Sequence, residues 1–525
     1  MAMLDHLLAG IAAVLGGPDL MPAIGLGISS SVIMVAAGFL IGIVAGSVPG
    51  LAGPAVMAIS LPILITVFGY TDAALLPVLG FLIGVMKGAT VGGAVPAILF
   101  NTPGTPDAYL TARDGYPMAR RGDAGTALRV AHFSSACGDT FSDVVLIVTA
   151  PFLALAVERL LDLPEKTALL LLSLAFIGAV VGRSAAKGII AVGLGLLAAS
   201  IGTGDALDGR LAMGNSVLAQ GLPLTTVLLG VLVLGEVFHG LEQARSHAAD
   251  PPPRRIAGKS GRLGAALRAR IMPHIARSAL IGTGIGALPG IGSTLAATLG
   301  YDVARKRHAR QTSLSVTAFG RGAPEGVAAT EAANSSVAGA NLIPVLSLGI
   351  PGNAAAVFLI LAADSIGSFT PGPGVFALPG TGLNPELVTV FGIFTLMMLA
   401  NLMNWTIGGV FMRSVAPLGR LPRGYLLPVV TLLTLLAVYA DTPRMWAIGL
   451  AIGFGVAGWA MRRIGMSPLP FIIAFLLGPR LEETARQAFS ASGGDPLFLL
   501  KSPVAVVLLA LALAVVVRQI AARRR

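Results

Sequence analysis

Four proline–glycine breaks carry most of the chemistry this sequence can offer. GSVPG at Gly46–Gly50 and GALPG at Gly286–Gly290 share one pattern; NTPG at Asn101–Gly104 and GIPG at Gly349–Gly352 share another. Inside an apolar helix such a break lacks an N–H at proline and lets the backbone crowd or turn left-handed at glycine. The helix N-terminus that follows presents N–H groups and partial positive charge, which suit a carboxylate. Freed carbonyls with Ser, Thr and Asn oxygens suit a small cation such as sodium. The substrate-binding residues expected on this basis are Asn101, Thr102, Pro103, Gly104 and Thr105 in the first half, and Gly349, Pro351, Gly352 and Asn353 in the second. Ser47, Pro49 and Gly50, with Pro289, Gly290, Ser293 and Thr294, are expected at two hairpin tips with a role in ion coupling. The competing reading for the tips is close packing of small residues.

Ionisable groups in apolar runs add to this set. Glu325, Glu331 and Asn334 lie in PEGVAATEAAN and are expected in coupling or gating, with interfacial solvation as the plainer reading of Glu325. Lys87 is the sole cation before Arg113; it either meets a substrate carboxylate or snorkels to an interface. Asp139 and Asp143 are four apart, hence on one helix face, and could line a cavity.

Other chemistries find little support. Cys137 is the only cysteine, and no HExxH occurs, so no metal or cofactor is expected beyond a transported sodium ion. Gly258-Lys259-Ser260 lacks the upstream glycine of a nucleotide-binding loop, because Pro253 stands there. Gly202-Thr203-Gly204-Asp205 spells GxGD, but the Tyr-Asp pair that intramembrane proteases place before it occurs only afterwards, at Tyr301-Asp302. An intramembrane protease and an ion channel stay as the alternative readings.

The elements that must hold these residues are membrane helices. Of 525 residues, 55% are hydrophobic and 12% charged, too apolar for a water-soluble domain. Gly 67 and Pro 34 then imply interrupted or tightly packed spans. Stretches long enough to cross a bilayer predict an all-α polytopic protein with about 11 spans plus two hairpins. Lys and Arg total 36 against 25 Asp and Glu, and the net charge of +11 sits in short runs beside apolar spans. That placement marks a cytoplasmic face rather than a nucleic-acid surface. Residues 239–275, with Pro251-Pro252-Pro253, read as a basic cytoplasmic linker between a first transmembrane repeat at 1–238 and a second at 276–525.

Two matched motifs in the same order define the repeat. Pro96 to Pro103 is seven residues, as is Pro344 to Pro351. Ser278–Leu288 enters after basic residues and, at eleven residues, rises about 16 Å, half the hydrocarbon core. The chain then returns to Arg305–Arg310, which predicts a re-entrant hairpin from inside. Its counterpart at about 24–70 is flanked by Asp19 and Asp72 and is expected to enter from outside. Matching segments of opposite direction predict inverted-topology repeats whose broken helices meet near mid-bilayer.

At these residues the chain resembles a known family. GSVPGLAGP, GGAVPAILFNTPGTPDAYLTARDGYPMARRGDAGTAL, GALPGIGSTLAA, GRGAPEGVAATEAANSSVAGANLIPVLSLGIPGNAAAVF and PGPGVF are similar to the large membrane subunit of the tripartite tricarboxylate transporters. The likeness covers roughly residues 20 to 480. It implies a carrier in the bacterial inner membrane that imports di- and tricarboxylates or related organic acids by Na+ or H+ symport. It also implies two partners, a small four-helix membrane subunit and a periplasmic solute-binding protein. The chain departs from the family at Met86-Lys87-Gly88, where an aromatic residue and glycines are usual, and at Asp364-Ser365, which is usually apolar.

Overall fold

The computed structural model describes residues 2–17, 28–48, 52–101, 108–181, 184–202, 210–246, 263–289, 292–308, 317–367, 369–378, 382–414 and 423–522. These residues form helices and turns with no β-strand among them. Six helices are long and apolar enough to cross a membrane: Asp72–Phe100, Tyr109–Leu160, Leu163–Val180, Leu224–Glu242, Pro385–Met412 and Met445–Arg463. Shorter apolar helices accompany them, among them Ser30–Gly46, Gly53–Phe68 and Ala354–Ile366. The chain is a multi-pass membrane protein.

By packing, the chain divides into two units. The first comprises Met1–Leu153, Ala248–Leu288 and Gly292–Leu426; the second comprises Ala154–His247, Pro289–Ile291 and Leu427–Arg525.

Unit one begins with α1 (Ala2–Leu15), α2 (Ser30–Gly46), α3 (Gly53–Phe68), α4 (Asp72–Gly92), α5 (Ala94–Phe100), α6 (Tyr109–Met118) and α7 (Ala124–Leu160, of which the part to Leu153 belongs here). It resumes with α8 (Ala265–Gly286), α9 (Ser293–His308), α10 (Pro324–Ala340), α11 (Leu342–Leu348), α12 (Ala354–Ile366) and α13 (Pro385–Met403). A wide π-turn at Asn404–Gly408 continues α13.

The same motif recurs twice within unit one. α2 and α3 flank the GSVPG break and both pack on α4; α8 and α9 flank the GALPG break and both pack on α10. α4 bends at Gly93 into the seven-residue α5, and α10 bends at Asn341 into the seven-residue α11. Each short helix carries proline at its third position, Pro96 or Pro344. Each ends on a left-handed residue, Asn101 at φ 52° or Gly349 at φ 71°. A left-handed residue lets the chain reverse over the last carbonyls, as the Ile350 N–H does onto Pro344 O at 3.1 Å. Asparagine and glycine are the residues that take this conformation at least strain.

Small residues set the helix spacing. Gly38, Gly42 and Gly46 of α2 meet Phe81, Val85 and Ala89 of α4 at a four-residue period, while Gly84, Gly88 and Gly92 of α4 meet α2 in return. A methyl group on Gly42 would lie 2.5 Å from Val85 O, and one on Gly84 2.4 Å from Val35 O, so the two backbones touch.

In unit two the helix Pro468–Ala491 packs on Ala185–Ala199, Pro503–Ala522 on Leu163–Val180, and Met445–Arg463 on 224–246. A π-turn at Leu229–Leu234 leaves carbonyls free, and the Arg462 guanidinium takes those of Val231 and Leu232 at 2.9 and 3.0 Å. It also pairs with Glu236 at 2.9 Å.

Candidate functional site

The polar side chains of unit one gather along α7. Helix periodicity puts His132, Ser135, Asp139, Ser142 and Asp143 on neighbouring turns of one side. All five are buried. An apolar helix in lipid holds such groups only where neighbouring helices satisfy them.

Lys87 of α4 sits at the centre with no solvent exposure. Its ammonium donates to Asp143 Oδ2 at 2.7 Å, Asp139 Oδ1 at 3.3 Å and Asn401 Oδ1 at 3.2 Å. Its three N–H groups are thereby used. Asn401 Nδ2 donates to Asp143 Oδ2 at 2.7 Å, and Asn404 Nδ2 to Asp139 Oδ2 at 3.2 Å. Both amides come from the end of α13 and the start of its π-turn, a backbone distortion common at functional sites. Lys87 therefore does not reach an interface, and two aspartates of the chain hold its ammonium. From α10, Gly339 presses on the same cluster: a methyl there would lie 2.0 Å from Asp143 Oδ1 and 2.6 Å from Ser142 Oγ.

One turn earlier on α7, Ser135 donates to Glu331 Oε2 at 3.1 Å, and Thr111 of α6 donates to Glu331 Oε1. Glu331 is thus a fully buried acceptor joining α6, α7 and α10. Glu325, in the first turn of α10, is buried and paired with the half-exposed Arg270 at 2.6 Å. Asn334 is buried on the same helix.

A third group forms around Asp114 of α6, which is fully buried. Its Oδ1 accepts from the N–H groups of Gly320, Gly322 and Ala323 at 2.8, 2.9 and 2.9 Å. Its Oδ2 accepts from Tyr301 of α9 at 2.9 Å. This carboxylate fixes the loop that leads into α10.

At the breaks, Asn101 is exposed at the left-handed end of α5. Thr102, Pro103, Gly104 and Thr105 lie outside the described residues, as do Pro49, Gly50 and Gly290. Ser47 is buried and donates to Ile43 O at 2.7 Å, closing α2. Pro289 and Ser293 are half-buried, and Thr294 is exposed in the first turn of α9. Gly349 ends α11; Pro351 and Gly352 are buried; Asn353 caps α12 through its side-chain oxygen on the Ala356 N–H at 2.8 Å. The described contacts therefore sort the expected residues into separate groups: the α7 cluster, the Glu331 junction and the two breaks.

Sequence reasoning missed Asp114, Asn341, Asn401 and Asn404. Asn341 stands at the bend between α10 and α11, 1% exposed, with neither amide atom hydrogen-bonded. A buried amide without partners is costly unless something else fills its bonds. The signal for Asn401 and Asn404 was two amides three apart in the apolar run LMMLANLMNW, hence on one helix face.

A protein of Agrobacterium vitis described as an uncharacterized 52.8 kDa protein in the TAR-I ttuC' 3' region is 30% identical over 491 residues, 91% of each chain. A second from that organism, described as an uncharacterized protein in the TAR-II ttuC' 3' region, is 31% identical over 240 residues, 45% of this chain and 92% of its own. No solved structure matches. The tripartite tricarboxylate transporter TctA family matches residues 32–473, and the chain belongs to that family.

Proposed function

We propose that the chain is the large membrane subunit of a binding-protein-dependent secondary carrier that imports di- or tricarboxylates or related organic acids by cation symport. The observation that carries this reading is the twice-occurring bent helix that ends on a left-handed break, at Asn101 and at Gly349. In the second half α12 starts at Ala354, six residues after the short helix ends at Leu348, so its N-terminal N–H groups follow the buried Pro351-Gly352. Asn341 adds an amide whose bonding capacity is open. Two such breaks, related as inverted repeats, would hold a carboxylate from two sides and expose it alternately to each face.

Cation coupling follows from charge. Moving one negative charge inward against a negative interior costs about 2.3 kcal/mol per 100 mV, hence about 7 kcal/mol for a trivalent anion. Co-transported Na+ or H+ offsets this. The partners are a small four-helix membrane subunit and a periplasmic binding protein, and the location is the bacterial inner membrane.

The test is uptake of radiolabelled mono-, di- and tricarboxylates by proteoliposomes holding the full assembly, with binding protein supplied. Asn341→Ala combined with Asn101→Gly, which keeps the left-handed turn, is expected to lower uptake about tenfold or more, equivalent to about 1.4 kcal/mol, with little change in thermal midpoint. Removing the partnerless Asn341 amide exposes no new unpaired group. Undiminished uptake in the double variant would refute the breaks as the binding site.

A further inference from the structure

The Lys87 cluster has an unbalanced charge. It holds one ammonium and two carboxylates, all with 0% side-chain exposure. With every group ionised, the sum is one negative charge enclosed by apolar helices, and an uncompensated buried ion costs several kcal/mol. The cation that α7 carries nearest to the cluster along its length, Arg129, lies ten residues before Asp139, about 15 Å away along the helix. Glu331 of α10 is negative and engaged by Thr111 and Ser135. His132 of α7 places Nε2 2.9 Å from Asn404 O. α2 and α3 carry no ionisable side chain, and Asp364 of α12 and Asp72 of α4 are exposed.

The hydrogen bonds are unbalanced in the same sense. Lys87, Asn401 and Asn404 supply donors to three of the four carboxylate oxygens. Asp143 Oδ1 receives none, although it is fully buried, and Asn404 Oδ1 is likewise bare. Both are acceptors, so the cluster lacks a positive charge and a donor together. A proton on Asp143 supplies both at once: it neutralises the sum and turns a bare acceptor into an O–H donor. A sodium ion fits less well. It needs a shell of several oxygens, and here three carboxylate oxygens already point at N–H donors and the ammonium fills the centre.

We propose that Lys87, Asp139 and Asp143 form a coupling site for one proton, taken up on Asp143 and released to restore the carboxylate. This role rests on the transport reading above and specifies its ion. The fold gives the proton a path of influence to both breaks. Lys87 lies six residues before the Gly93 bend of α4. Gly339, against which Asp143 Oδ1 rests, lies two residues before the Asn341 bend of α10. Gain or loss of charge at Asp143 thus acts on the two bent helices whose ends are the breaks.

The experiment is a pH titration of the purified full chain by infrared difference spectroscopy, from about pH 4 to pH 9, reading the protonated-carboxyl band. Binding of 22Na+ to the same preparation is measured in parallel. The expected result is one protonation per chain that Asp143→Asn removes, with no Asp143-dependent 22Na+ binding. Asp143→Asn leaves Lys87 and Asp139 as a neutral pair and is expected to fold; Asp139→Asn, neutral for the same reason, is the second variant, and it too removes the titration. A wild-type band that both variants leave unchanged overturns the site. 22Na+ binding lost with Asp143→Asn overturns the proton in favour of sodium. In proteoliposomes that take up a carboxylate, Asp143→Asn is further expected to abolish the acceleration by an inward proton gradient. Absence of uptake for every acid tested counts against the transport reading alone, because the titration needs no substrate.

Discussion

Asp114 shows how much one residue can hold. A buried carboxylate that accepts three backbone N–H groups and a tyrosine hydroxyl organises the turn before α10. Asp114→Ala would strand Gly320, Gly322 and Ala323 N–H groups out of water and is expected to cost about 3 kcal/mol or more. Asp114→Asn keeps an oxygen for those N–H groups, loses their charge assistance, and should cost about half as much. Thermal midpoints in detergent check the order; equal midpoints for the two variants would argue against the clamp. The residue scale was also where the sequence was least legible. Lys87, Asp139, Asp143 and Glu331 stood out because a charge in an apolar run is expensive. Asp114 did not, because it lies among Arg113, Arg120 and Arg121, where an aspartate reads as a solvated loop residue. Asn341, Asn401 and Asn404 were overlooked because an amide carries no charge to draw attention, although its burial unpaired is costly.

Elements were easier to foresee. Spacing alone matched Pro96 to Pro344 and Asn101 to Gly349, and the structure gives both prolines the third position of a seven-residue helix. The bends themselves were hidden, since Gly93 and Asn341 share no chemistry that a sequence comparison would pair. Glycine spacing in α2 and α4 was equally open to reading, because a four-residue period marks one helix face. It yields a prediction of opposite signs. Gly42→Ala forces a methyl to within 2.5 Å of Val85 O and is expected to destabilise by about 1–3 kcal/mol. Gly453→Ala, on the helix Met445–Arg463 with nothing within 4 Å, is expected to stabilise by about 0.5–1 kcal/mol through helix propensity. Paired midpoints of the two variants decide whether close backbone contact or generic helix strength sets the stability of α2 and α4.

For the whole molecule, apolar composition and clustered cations predicted a multi-pass chain, and the described residues include six helices able to span. Six of the about 11 stretches foreseen from hydropathy coincide with those helices, and shorter apolar helices such as Ala185–Ala199, Leu427–Asp441 and Pro503–Gln519 lie in others. Orientation is open to direct measurement. Cys137 is the only cysteine, so Cys137→Ser gives a background for single-cysteine labelling. Tyr70 and Ala318, both exposed and 248 residues apart, stand at equivalent positions ahead of α4 and α10. Tyr70→Cys and Ala318→Cys are expected to react with an impermeant maleimide from opposite sides of the membrane, and reaction from one side would contradict the inverted relation. The Asp114 clamp then constrains how such a carrier can work. Four hydrogen bonds rivet α6 to the Tyr301 ring and to the leading end of α10, so a segment from each half of the chain belongs to one stiff piece. Any sliding surface between the scaffold and a travelling part must run around that piece, and the seam between the two halves of the sequence is not where the machine comes apart.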